Sequence, residues 1–153
     1  MLMGCGGNDG NKKEQFKLKN HQTTGTKATI KNKGAKASQW VDLSNKGIGP
    51  IKSVRLPDEI DQTMAEHGAA VYNKMCTACH RPDKKFIGPP ATGVLKRRTP
   101  EWVMNMLLNP DEMLKKDPIA KALLVEFYNA PMIDQNLTHE EARAVLEYYR
   151  TLD

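Results

Sequence analysis

Cys76-Thr77-Ala78-Cys79-His80 holds the residue types and spacing best suited to chemistry in this chain. Two thiols three positions apart, followed at once by an imidazole, form the C-x-x-C-H attachment string for c-type haem. Such thiols add to the two haem vinyl groups and fix the ring covalently. The adjacent imidazole then coordinates the iron axially. Two other uses compete for the same residues. A zinc site needs four Cys or His ligands, yet none of the remaining histidines, His21, His67 and His139, is paired with a second cysteine. A dithiol redox motif belongs in a βαβ context, and no segment here alternates convincingly as a strand. One covalent haem with its iron is the expected cofactor.

The elements that must position this string are helical. Asp58 reads as the cap of a helix running to about Met75, with Ile60, Met64, Gly68, Val71, Tyr72 and Met75 on one face. Thr99-Pro100-Glu101 combines a cap, a first-turn proline and an early acid; that helix should stop near Leu108, ahead of Asn109-Pro110. Asn109-Pro110 starts a short turn to Lys115, and Asp117-Pro118 starts a helix from Ile119 to about Tyr128. Thr138 and Glu141 form a capping box for a last helix through Arg150, with Ala142, Val145, Leu146, Tyr149 and Leu152 facing inward. The expectation is an all-α domain over residues 58–153, with four to five short helices and long loops at 81–98 and 129–137. A domain under 100 residues buries a modest share of its surface, so a porphyrin would complete the core.

Charge separates this domain from what precedes it. Residues 1–56 carry 11 basic and 3 acidic side chains, a net of +8, whereas residues 57–153 carry a net of −3. The basic third has no aromatic interleaving or recognition module, so nucleic acid is not an expected partner. From Gly6 to Ser38 only six of 33 residues are apolar, too few to offset the entropy of ordering. Residues 6–38 are therefore read as a disordered, flexible basic tether spanning roughly 30–35 Å. Residues 39–57, with Trp40, Val41, Leu43, Ile48, Ile51, Val54 and Leu56, read as an extended apolar strap over the domain. Leu2-Met3-Gly4-Cys5 resembles the end of a bacterial lipoprotein signal, which makes residues 1–5 a signal remnant and Cys5 the candidate lipid site.

Residues 58–153 resemble the small monohaem class I cytochromes c. Those proteins start with a helix carrying Gly-x-x-x-aromatic-x-x-x-Cys-x-x-Cys-His, here Gly68, Tyr72, Cys76, Cys79 and His80. They end with a helix whose side chains pack on that glycine, here Val145, Tyr148 and Tyr149. By resemblance, Ile87-Gly88-Pro89 supplies the Pro89 carbonyl that accepts the Nδ1 proton of His80, orienting the ring. The family's axial methionine precedes the last helix, which implies Met132 in Pro131-Met132, with the proline before the methionine rather than after it. Met113 is the spare candidate; Met104 and Met106 sit on a stripe that reads as packing. Arg97 or Arg98, together with the Trp102 indole, are candidate partners for the haem propionates.

Iron held by His80 and Met132 has no open position. The resemblance therefore implies a one-electron carrier that is not an enzyme and takes no small-molecule substrate. It would shuttle electrons between redox proteins, a respiratory donor and a terminal reductase or oxidase, and its lipid anchor would meet a membrane surface. Haem c attachment in bacteria takes place outside the cytoplasmic membrane in this family, so the periplasmic side of a bacterial membrane is the expected location. A five-coordinate haem enzyme or gas sensor, with His139 as the nearest histidine by sequence, is one alternative. A haem subunit of a larger redox complex is the other.

Overall fold

A computed structural model of the protein describes residues 34–153. Cys5 and the tether as far as residue 33 lie outside the described residues. Five helices follow one another: α1 Gln62–Met75, α2 Pro100–Leu108, α3 Pro110–Lys116, α4 Pro118–Glu126 and α5 His139–Arg150. Among the described residues there is no strand, only an isolated bridge between Asp42 and Arg98, and no helix is long and apolar enough to cross a membrane.

The helix starts follow their caps. Thr99 accepts from Trp102 N with Pro100 in the first turn. Asp117 accepts from the Ile119 and Ala120 amides. Thr138 and Glu141 close the capping box. Each such cap contributes about 1 kcal/mol. The start of α1 differs from the sequence reading. The cap is Asp61, not Asp58, and it accepts from Met64 N at 3.0 Å. The reason is tertiary. Arg150 of α5 donates to the carbonyls of Pro57, Asp58 and Glu59, and Asp61 N donates to Glu147 Oε1 at 2.9 Å, so the backbone before Asp61 is held in the approach to the helix. At its far end α4 stops at Glu126, two residues before the expected Tyr128, because Tyr128 and Asn129 take φ of 58° and 59° and turn the chain away.

Glu147 is fully buried although its charge suggests a solvent-facing position. Burial alone raises its carboxyl, but the hydrogen bonds from Arg143 and Asp61 and the charges of Arg143 and Arg150 outweigh that and hold it below its ordinary 4.5. It stays ionised and pins the start of α1 to α5.

The helices pack most extensively where α1 crosses α5. The sequence expectation had side chains of Val145, Tyr148 and Tyr149 resting on Gly68. Instead the backbone of α5 rests there: a Cβ at Gly68 would overlap the Ala144 carbonyl and lie 2.9 Å from Val145 N. Tyr148 and Tyr149 pack on Tyr72, with ring centroids 5.3 and 5.9 Å away. Tyr72, Val145 and Leu146 are essentially inaccessible to solvent, and side chains of this kind stabilise by roughly 1.5–3 kcal/mol each when fully buried.

Residues 39–57 lie over α2 and α3 as a strap. Its backbone polar groups find side-chain partners in the helices. Asn105, fully buried, accepts from Ile51 N and donates to the Lys46 and Ile51 carbonyls at 2.8–2.9 Å. Asn45 donates to Asp117 Oδ2 at 2.7 Å, and Thr99 donates to the Asn45 carbonyl at 2.6 Å. Trp40, Ile51, Val54 and Leu56 pack on the core, whereas Val41 and Leu43 are exposed. The packed chain also starts before the boundary set at Ser38: Ala37 is buried in a short 3-10 turn, Ala37–Gln39.

Gly68→Ala should lower stability by about 3 kcal/mol or more, because the obstruction is backbone and cannot rotate away. Urea unfolding of the wild-type and variant proteins measures this; equal midpoints would contradict the close crossing.

Candidate haem site

The end of α1 delivers both cysteines and the histidine to one slot. Cys76 caps the helix, and the Cys79 and His80 amides both return to the Cys76 carbonyl, at 3.1 and 2.8 Å. The tight turn places Cys76, Cys79 and His80 together on the slot wall. Cys76 is buried and Cys79 exposed, both as free thiols. Burial, followed by the neighbouring Cys79, pushes the Cys76 thiol up to about 11. Among the described residues no group of three or more His, Cys, Asp or Glu side chains could hold a metal ion, which disfavours the zinc reading.

His80 is oriented from behind. Its Nδ1–H donates to the Pro89 carbonyl at 2.9 Å, which leaves the Nε2 lone pair for a ligand bond. Gly88 makes that approach possible. A Cβ there would stand 2.8 Å from Nδ1 and 2.9 Å from Nε2 of His80. The Gly88 amide is itself tied to the Cys79 carbonyl at 2.8 Å, so the loop cannot back away.

The remaining walls are mostly apolar: Val94, Leu107, Leu123 and Phe127 line the slot, and Met132 reaches it from the loop before α5. The slot is a cleft of about 210 Å³, open at its mouth, and its apolar walls suit the flat face of a macrocycle. The donor set also suits it: two thiols on one wall, an imidazole with a free nitrogen, and a thioether. Met113 does not take part. Its sulfur accepts from Ile48 N at 2.9 Å beneath the strap, away from the slot, so it is no longer a spare ligand. Met106 and Met75 also line the slot, although their helical spacing reads as packing.

The three expected propionate partners divide. All line the slot, but Trp102 Nε1–H already donates to Asp117 at 3.1 Å. The Arg98 Nη groups donate to the Trp40, Arg97 and Ala37 carbonyls. In the structure, then, the Trp102 indole and the Arg98 Nη groups are engaged by acceptors of the protein itself. Arg97 makes one longer bond, to the Thr92 carbonyl at 3.2 Å, and is the better placed candidate. Burial lowers both guanidinium pKa values; for Arg98 the adjacent Arg97 adds to this, bringing it to about 10. Among the described residues neither forms an ion pair. The buried Arg98 and the half-buried Arg97 place positive charge on the slot wall, which favours an anionic group and fits the acid side chains of a haem.

Among the slot residues that sequence reasoning did not assign to the site, Tyr149 and Ser38 are instructive. Tyr149 was assigned only to the helix packing face, and Ser38 fell within the tether; both line the slot. Tyr149 was recoverable from its place on the inward face of α5. Nothing in the local sequence marks Ser38.

A family model for cytochrome c matches residues 65–153. Among solved structures, cytochrome c from Rhodothermus marinus is 43% identical, with a TM-score of 0.66; the match covers 76% of this chain and 93% of that one. An engineered cytochrome c from Rhodothermus marinus bound to a carbene intermediate is 41% identical, with a TM-score of 0.64, covering 76% of this chain and 94% of that one. The cytochrome c domain of the pp3183 protein from Pseudomonas putida is 29% identical, with a TM-score of 0.51, covering 55% of this chain and 85% of that one. A search of curated proteins returned no match.

Gly88→Ala should displace the His80 ring and disturb axial ligation while leaving both thioether bonds in place. Mass spectrometry would find the haem retained, and the visible and resonance Raman spectra would report altered axial coordination. An unchanged spectrum would mean that Gly88 does not confine the ring.

Proposed function

Because the chain belongs to the cytochrome c family, whose cofactor is covalent haem c with its iron, we propose that it is a one-electron carrier. In this reading Cys76 and Cys79 hold the ring, His80 and Met132 ligate the metal, and Arg97 faces a propionate. When bound, haem iron supplies a reversible Fe(II)/Fe(III) couple. The protein's contribution is to keep that couple closed to other chemistry. The observation that carries the reading is the joint presence in one apolar slot of the Pro89-oriented imidazole and the Met132 thioether. A thioether is a soft ligand that favours ferrous iron, so this ligand pair raises the potential. His139, the one histidine considered for an open haem centre, lies in a separate groove with His67, away from the slot.

Electrons would pass at the mouth of the slot. Ile87 and Ile133 line it and are about half exposed, and Phe86 and Tyr128 are exposed nearby in sequence. The Lys85 ammonium lies over the Phe127 and Tyr128 rings. A small apolar contact with a charged border suits brief docking of a redox protein. The proposed partners are a respiratory donor and a terminal reductase or oxidase.

The proposal extends to location, outside the cytoplasmic membrane and anchored by lipid at Cys5. Its support is the Leu2-Met3-Gly4-Cys5 string and the basic stretch that follows. An anchored carrier on a tether meets nearby partners at raised effective concentration.

Met132→Ala should retain covalent haem, lose the near-infrared methionine–iron band of the ferric protein, lower the reduction potential and admit carbon monoxide when reduced. An unchanged potential would move the sixth ligand elsewhere. Cys5→Ser should release the protein into the soluble fraction with an unaltered spectrum; equal membrane retention of the variant would remove the anchor.

A further inference from the structure

Glu126 ends α4, and both of its carboxylate oxygens are held by a residue that precedes all five helices. Ser38 N donates to Oε2 and Ser38 Oγ donates to Oε1, each at 2.7 Å, across 88 positions of sequence. Both partners are half-buried, and Ser38 lines the haem slot. Six residues beyond Glu126 stands Met132.

The chain between them is anchored unevenly. Phe127 is buried. Tyr128 and Asn129 are left-handed, and the Asn129 and Ala130 amides return to the Leu124 and Phe127 carbonyls at 2.8 and 3.1 Å. From Pro131 to Leu137 the hydrogen bonds found are internal: Gln135 to the Ile133 carbonyl, and Asn136 N to Asp134. Among the described residues none ties this stretch to the rest of the protein. Met132 and Leu137 pack on the core, but this contact is non-directional, so the direction of the Met132 loop is set from its two ends. The capping box of α5 holds the downstream end; the end of α4 holds the upstream one. Apolar packing of Phe127 is non-directional and does not fix the angle at which the chain leaves the helix. A carboxylate gripped at both oxygens does fix it, since paired charge-assisted bonds carry geometric specificity.

We infer that Ser38 and Glu126 are positioning residues for the axial thioether: the segment before the strap latches the end of α4 and so holds the Met132 loop against the slot. The inference rests on Met132 being the sixth ligand. It makes Ser38, which lies outside residues 65–153, part of the control of the metal's open or closed state.

The test uses the full-length holoprotein. Ser38→Ala and Glu126→Ala should each raise the fraction of detached thioether about tenfold, the consequence of losing a charge-assisted hydrogen bond. The readouts are faster carbon monoxide uptake by the ferrous protein, loss of the near-infrared band at lower temperature, and faster amide exchange confined to residues 131–137. Ser38→Thr, which keeps the hydroxyl, should restore all three. If Glu126→Ala does not fold, Ser38→Ala carries the test alone. Wild-type values in the folded variants, with the band present in the parent protein, would overturn the latch and leave the carrier reading intact. A parent protein that lacks the band and takes up carbon monoxide as fast as Met132→Ala would overturn both.

Discussion

The missing side chain at Gly68 lets α1 and α5 meet backbone to backbone, and most of the site follows from that contact. With the two helices this close, Tyr72 of α1 is enclosed by Tyr148 and Tyr149 of α5, and the last turn of α1 ends at a fixed point. Cys76 occupies that point, and the turn through Cys79 to His80 starts from it. The buried Glu147, bonded to Asp61 and to two arginines, secures the opposite end of the same helix. One end of α1 is thus held by ions and the middle by close backbone contact. The remaining end is left to present the attachment residues.

Behind His80 the same economy of space recurs. Gly88 leaves room for the imidazole, Pro89 offers a carbonyl, and the Cys79–Gly88 hydrogen bond keeps the two segments in register. Elsewhere the slot is mostly apolar, with Arg97 and Arg98 placing positive charge against its wall. The arrangement separates the two jobs of the site. Apolar side chains make space for the ring, and a few fixed polar groups decide how it sits.

Much of this was legible because local chemistry carried it. The starts of α2, α4 and α5 were written in Thr99-Pro100, Asp117-Pro118 and Thr138/Glu141, and the attachment string and its flanking glycine specify the family. Other features depended on partners far away in the chain. Asp58 has the chemistry of a cap, but Arg150 claims the carbonyls around it, so Asp61 takes the role. Glu147 looks like a surface acid until Asp61 N and two arginines are brought to it. Trp102 and Arg98 bear the right groups for a propionate, and in the structure Asp117 and the Trp40, Ala37 and Arg97 carbonyls engage them. In each case the residue's capability was readable and its competitor was not.

The seat of the strap is built from residues far downstream of it. Ile51 waits for Asn105, 54 positions later, Asn45 for Asp117, 72 positions later, and Ser38 for Glu126, 88 positions later. Such distant closures are slow relative to local helix formation. In a chain delivered N-terminus first, the strap emerges well before the surface that receives it, and Trp40, Ile51, Val54 and Leu56 have no partner during that interval. Docking of the strap therefore waits for α2, α3 and α4, because its seat does not exist until they have formed.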